Sequence, residues 1–129
     1  MLKNNAIILL LILLLFALGC SILLGQEVAT KRTALIMEQA IEIGKIELKK
    51  MGFDTQNMNV IADEENTAWK EFVSSNPSIM ESKNVREMKL SERNYWAIYY
   101  TPKERALGGD AWIFIDKKDL KVIGMVLGE

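Results

Sequence analysis

The sequence contains no histidine. That removes the commonest general base near neutral pH and the commonest metal ligand. Its one cysteine, Cys20, excludes an intramolecular disulfide, a thiolate zinc site and a Cys-His nucleophile. An excess of either charge is also lacking: 16 Lys and Arg stand against 17 Asp and Glu. Such a balance argues against the basic face of a nucleic-acid binder and gives no strong steering field. There is no internal repeat and no low-complexity tract. Ser74, Ser75 and Ser91 have no histidine to activate them, and no Lys or carboxylate motif accompanies them, so no catalytic residue is expected.

What is present is a long apolar run. Ala6 to Leu24 is 19 residues, interrupted only by Gly19, Cys20 and Ser21, and Lys3 precedes it. Phe16-Ala17-Leu18-Gly19-Cys20 resembles a bacterial lipoprotein signal, in which the cysteine is lipidated and becomes the mature N-terminus. The stretch from Ala6 to Leu18 has the length of a signal h-region. Ala17 and Leu18 depart from the usual residues of that motif, and Ile22-Leu23-Leu24 continues the run past the cysteine. The continuation fits an uncleaved anchor, since about 20 apolar residues cross the hydrocarbon. With Lys3 on one side and Lys31-Arg32 on the other, basic residues do not decide the orientation. A plain secretory peptide is the third reading. The absence of any polar face argues against a buried core helix. The organisation expected is a lipoprotein signal or membrane anchor at 1–25, a polar tether at 26–32 and one α+β domain at 33–129, a length that supports a single core.

Thr33 to Met51 has helical spacing. Ala34, Met37, Ile41, Gly44, Leu48 and Met51 form one stripe, with Ala40 beside it. Glu38, Glu42, Lys45 and Lys49 lie opposite. Gly52 is placed for a left-handed cap, with Phe53 as its apolar contact. A glycine on the buried stripe, Gly44, predicts close approach to a sheet. Met58 to Ala62 reads as a short strand. Asp63 reads as an N-cap, with Glu64 and Glu65 in the first turn of a helix carrying Ala68, Trp69, Phe72 and Val73 on one side. Ser74 to Pro77 ends it. Ser78 to Arg93 is weakly patterned and reads as loop with a turn of helix. Three strands follow at Tyr95–Thr101, Asp110–Asp116 and Leu120–Leu127, an antiparallel meander. The expected architecture is an amphipathic helix packed on an antiparallel sheet of three to four strands, the other sheet face covered by the second helix or by a partner.

Asp63, Glu64 and Glu65, with Asp110, Asp116 and Asp119, are oxygen donors that a hard cation would use. The spacing of a calcium loop is missing, and a helix cap with hairpin turns accounts for them better. No metal or cofactor is expected. Gly108-Gly109 precedes a strand rather than a helix, so it reads as a turn or bulge, not a phosphate loop. Trp69, Trp96 and Trp112 read as core, with a ligand cleft as the alternative. Lys103, Glu104 and Arg105, with Asp110, are the expected partner-binding residues, because loops carry function more often than the elements they join.

Tyr95 to Lys103, Leu107 to Lys118 and Val122-Ile123 resemble small bacterial α+β domains of the immunity proteins with a nuclear-transport-factor-2-like fold. The shared order is a leading helix, a Trp-bearing strand, a Gly-Gly-initiated strand ending in Asp-Lys, and a last strand. The Asp-Lys turn is also similar to the final hairpin of PepSY-type domains, although Asp119-Leu120 stands where Gly is common. The resemblance implies a non-catalytic binding role. The expected function is that of a membrane-tethered, non-enzymatic binding or protective protein of the cell envelope, its domain outside the cytoplasm, with the membrane and a protein as partners. The alternative is a small envelope enzyme or ligand-binding domain built on a carboxylate and tryptophan cleft.

Overall fold

Leucine, isoleucine and alanine dominate the first half of the chain, and no proline precedes Pro77, so nothing there forces a helix to stop. In the computed structural model, which describes residues 2–104 and 109–128, α1 runs from Leu2 to Lys50. Residues 26–32, expected as a tether, are helical. The hydroxyls of Ser21 and Thr30 donate to the carbonyls of Ala17 and Gln26, both at 2.9 Å, so these polar groups are satisfied inside the helix. The chain divides into two units, Met1–Ile36 and Met37–Glu129.

The first unit is helix alone. From Ile7 to Leu24 every large apolar side chain is 54–74% exposed. In water such a surface would be unfavourable by about 25 cal/mol per Å² of apolar area, which makes the segment a candidate for a membrane.

In the second unit the buried line of α1 is Ala40, Gly44 and Leu48, spaced by one turn. Ala34 and Met51, expected on that stripe, are exposed. The helix ends as its sequence requires. Gly52 has φ +91°, its N–H donates to the Lys49 carbonyl at 3.0 Å, and the Phe53 N–H donates to the Leu48 carbonyl at 3.1 Å. These two bonds are a Schellman cap.

Four strands follow: β1 (Met58–Ile61), β2 (Tyr95–Pro102), β3 (Ala111–Asp116) and β4 (Val122–Leu127). They form one antiparallel sheet in chain order. Alternation sorts their side chains to two faces. Ile98 opposite Ile113 and Tyr100 opposite Ala111 lie on the α1 side, where the Tyr100 hydroxyl donates to the Ile41 carbonyl at 2.8 Å. Ala97 opposite Phe114 and Tyr99 opposite Trp112 lie on the other side. There they pack with Trp69 of α2 (Thr67–Ser75) and with Val85 and Met88 of α3 (Lys83–Met88). The domain is therefore α+β, with helices on both faces of the sheet. The meander itself was expected. The last strand starts two residues later than expected because Leu120 sits at φ +58° in the hairpin, where its N–H donates to the Asp116 carbonyl.

Residues 78–93, expected as loop with a turn of helix, hold three short helical segments: Pro77–Glu81, α3 and Leu90–Glu92. Ser82 caps α3, its hydroxyl accepting from the Val85 N–H at 3.4 Å. Val85, Met88 and Leu90 are buried and close the core.

The entry to α2 also differs from expectation. Asp63 is not the N-cap; the helix begins at Thr67 behind Asn66, which has φ +55°. Asp63 still satisfies backbone donors, accepting from Glu65 N–H at 2.9 Å and Thr67 N–H at 3.0 Å. Burial raises its pKa, but these bonds outweigh that and hold the carboxyl below its usual range. Asn66 reaches the sheet. Its amide donates to the Tyr95 carbonyl at 2.8 Å and its carbonyl accepts from Ala97 N–H at 2.8 Å. The side chain thus continues the ladder along β2 where β1 has ended at Ile61. Asn66→Ala should destabilise the domain by about 2 kcal/mol, the sum of two bonds lost to partly buried groups, and Asn66→Gly nearly as much although it relieves the left-handed backbone. Urea unfolding of the two variants checks this: if Asn66→Gly unfolds like the parent, the two bonds contribute no more than the backbone relief.

Candidate functional site

Cys20 is exposed on α1. Ile12, Leu15, Phe16, Gly19 and Leu23 line a shallow apolar depression with it. The residues lining the depression include no acid or base that could act on the thiol, so lipidation there would have to come from an enzyme acting on it.

The four residues expected to contact a partner fall in different settings. Lys103 follows β2; its N–H donates to the Asn57 carbonyl at 2.9 Å and its ammonium to the Gln56 carbonyl at 3.2 Å. Glu104 is exposed. Arg105 lies outside the described residues. Asp110 is held in the fold: a carboxylate oxygen accepts from the Tyr99 hydroxyl at 3.0 Å, and its carbonyl accepts from Gly128 N–H at 2.8 Å. Burial, with the Asp110 carboxylate beside it, pushes the Tyr99 phenol above its usual range. Of the three that are described, Lys103 and Glu104 present side-chain charge at the surface end of β2.

The tryptophans do not form a cleft. Trp69, Trp96 and Trp112 are 3%, 3% and 4% exposed. Trp69 meets Trp112 edge-on at 5.1 Å between ring centroids and Phe114 at 4.8 Å, while Tyr99 stacks on Trp112 at 4.6 Å. Trp96 meets a carboxylate, but in a closed arrangement. Its indole N–H donates to Glu64 at 3.2 Å, Lys117 pairs with the other Glu64 oxygen at 2.7 Å, and the same ammonium lies 5.3 Å above the Trp96 ring. The Lys117 bond, then that of Trp96, holds the Glu64 carboxyl below its usual range. A charged pair with its bonds already made is a staple between the β1–α2 connection and the β3–β4 hairpin, not a poised acid or base. Among the described residues no three acidic or thiol side chains converge as a metal site.

A concavity lies elsewhere, between the second half of α1 and β1. It encloses about 480 Å³. Met58 and Val60 of β1 and Ile46 of α1 give it an apolar floor, and Lys45, Lys49, Lys103 and Glu42 rim it. Glu42 pairs with Lys45 at 2.7 Å. The sequence reading took Lys45 and Lys49 for a solvated face and missed that β1 would bring Lys103 beside them. Only the strand pairing, Met58 opposite Pro102, creates this neighbourhood. No family model matches the chain, and no curated protein or solved structure matches it.

Proposed function

We propose that this is a membrane-tethered, non-enzymatic binding protein of the cell envelope, anchored through Cys20, with its α+β domain outside the cytoplasm. The observation that carries the reading is the continuous apolar surface of α1 from Ile7 to Leu24, which has no polar face and is exposed among the described residues. The choice of Cys20 rests on the Leu18-Gly19-Cys20 sequence behind a signal-length apolar stretch. An immunity-like protective role rests on the family resemblance of the strands. The non-enzymatic part is supported by tryptophans that fill the core and by a Glu64 carboxylate already engaged.

A spanning helix is the second reading, favoured by one observation: α1 continues unbroken through Ile22, Leu23 and Leu24. Mass spectrometry of the full chain isolated from a bacterial membrane separates the two. The expected result is a mature N-terminus at Cys20 carrying acyl mass, and retention of the unmodified chain in Cys20→Ser. An intact Met1 in the membrane fraction means a spanning anchor. For that case Leu13→Arg should weaken insertion by about 3 kcal/mol. Soluble, unmodified protein would remove both readings.

A further inference from the structure

Among the described residues, no strand uses the backbone groups along the outer edge of β1. Two bonds set the phase of the ladder. Lys103 N–H donates to the Asn57 carbonyl, and Ala97 N–H, on the same side of β2, is taken by Asn66. Odd-numbered residues of β2 therefore point their backbone groups toward β1, and they meet Asn57, Asn59 and Ile61. The N–H and C=O groups of Met58 and Val60 point the other way, out of the sheet. Their side chains, opposite Pro102 and Tyr100, lie on the α1 face and form the floor of the lysine-rimmed groove. Ile46, which shares that floor from α1, is 54% exposed, and Ile61, on the opposite face of β1, is 46% exposed.

We propose that this edge binds an acidic, extended peptide segment as a fifth strand, antiparallel or parallel to β1. The proposal rests on the non-enzymatic binding reading above and names where that binding occurs. Main-chain bonds to Met58 and Val60 would supply affinity. Charge complementarity decides the kind of segment: three ammoniums face one carboxylate, and among the described residues Lys49 and Lys103 form no ion pair. Because strand side chains alternate, acidic residues at every second position would face the lysines, and apolar residues between them would lie along Ile61. Residue 60 makes the mode testable. Its N–H faces outward, so proline there removes a donor from the free edge and none from the ladder.

The experiment uses the full chain in detergent micelles and a fluorescein-labelled octapeptide of alternating Glu and Val, with a Lys and Val peptide as control. Anisotropy should rise with the acidic peptide alone and weaken with added salt. Lys49→Glu with Lys103→Glu should lower the affinity about tenfold or more, since two attractions become repulsions. Val60→Pro should lower it to a similar degree with an unchanged circular-dichroism melting curve. If Val60→Pro unfolds the domain, Val60 N-methylation by chemical ligation gives the same test. Equal binding of the lysine peptide, or undiminished binding by a folded Val60→Pro, overturns the proposal. So does an edge occupied by a second copy of the chain, seen as a dimer in sedimentation that Val60→Pro dissolves. None of these outcomes would alter the mass of the mature N-terminus, so failure here is distinguishable from failure of the tethering reading.

Discussion

Trp69→Ala is expected to lower the unfolding free energy by about 3–5 kcal/mol, the usual cost of emptying an aromatic site in a core. The indole is 3% exposed and touches three rings at once: Phe72 at 5.7 Å, Trp112 at 5.1 Å and Phe114 at 4.8 Å between centroids. Phe72 shares its helix, whereas Trp112 and Phe114 belong to β3. Removing Trp69 therefore cuts the main apolar link between α2 and the sheet. Collapse around the void is limited, because Trp112 is already stacked against Tyr99. Small domains are stable by about 5–15 kcal/mol, so this single change would consume a large part of the total. Trp69→Phe keeps most of the volume and should cost less than half as much. Guanidinium unfolding followed by circular dichroism decides it; a loss below about 1 kcal/mol for Trp69→Ala would mean that α2 is not seated on the sheet as described.

The second large effect has the opposite origin, too much volume. A side chain at Gly44 has no room. An added Cβ would fall on the Tyr100 phenol oxygen and lie 2.8 Å from its Cζ. At an exposed helical site Gly→Ala gains about 1 kcal/mol. At Gly44 the sign should reverse, and Gly44→Val should cost about 3 kcal/mol, the upper part of the range for overpacking. Tyr100 cannot easily move aside, because its hydroxyl is bonded to the Ile41 carbonyl one turn earlier on α1. Burial and the nearby Glu42 charge also push its phenol well above the usual range, so it stays neutral and a donor. Tyr100→Phe alone should cost about 1 kcal/mol for the lost bond. Combined with Gly44→Ala it should cost less than the two separate losses added together, since the oxygen in the way is gone. Strict additivity, or a stabilised Gly44→Ala, would show that the helix does not approach the sheet at this point.

Gly44 also shows how far the sequence could be read. A glycine on the apolar stripe of a helix announces a close neighbour, and the Gly52-Phe53 pair announces a cap, because each rests on a local backbone rule. The aromatic and β-branched strands were legible for the same reason. Residues 78–93 were not. Ile79, Val85, Met88 and Leu90 are shared among three turns, none long enough to display a helical period. Asp63 misled because its side chain does accept helical N–H groups, but from four residues away, while Asn66 turns the corner. The lysine groove was invisible, since it depends on a pairing between strands separated by α2 and α3. The partner-contact residues were read from loop position alone, and that criterion could not tell Lys103, at a groove, from Asp110, tied into the fold.

The chain-order sheet has a kinetic consequence. Every strand pairs with its neighbour in sequence, and short connections close β2 on β3 and β3 on β4 at small entropic cost. The bond from Tyr100 to Ile41 spans 59 residues, and those from Asn66 to β2 span about half of that. Loop closure should therefore order the assembly, with the three-stranded meander forming first, α2 and β1 joining next, and the second half of α1 docking last over Gly44. Substitutions at the Gly44 contact should then alter the rate of unfolding far more than the rate of folding.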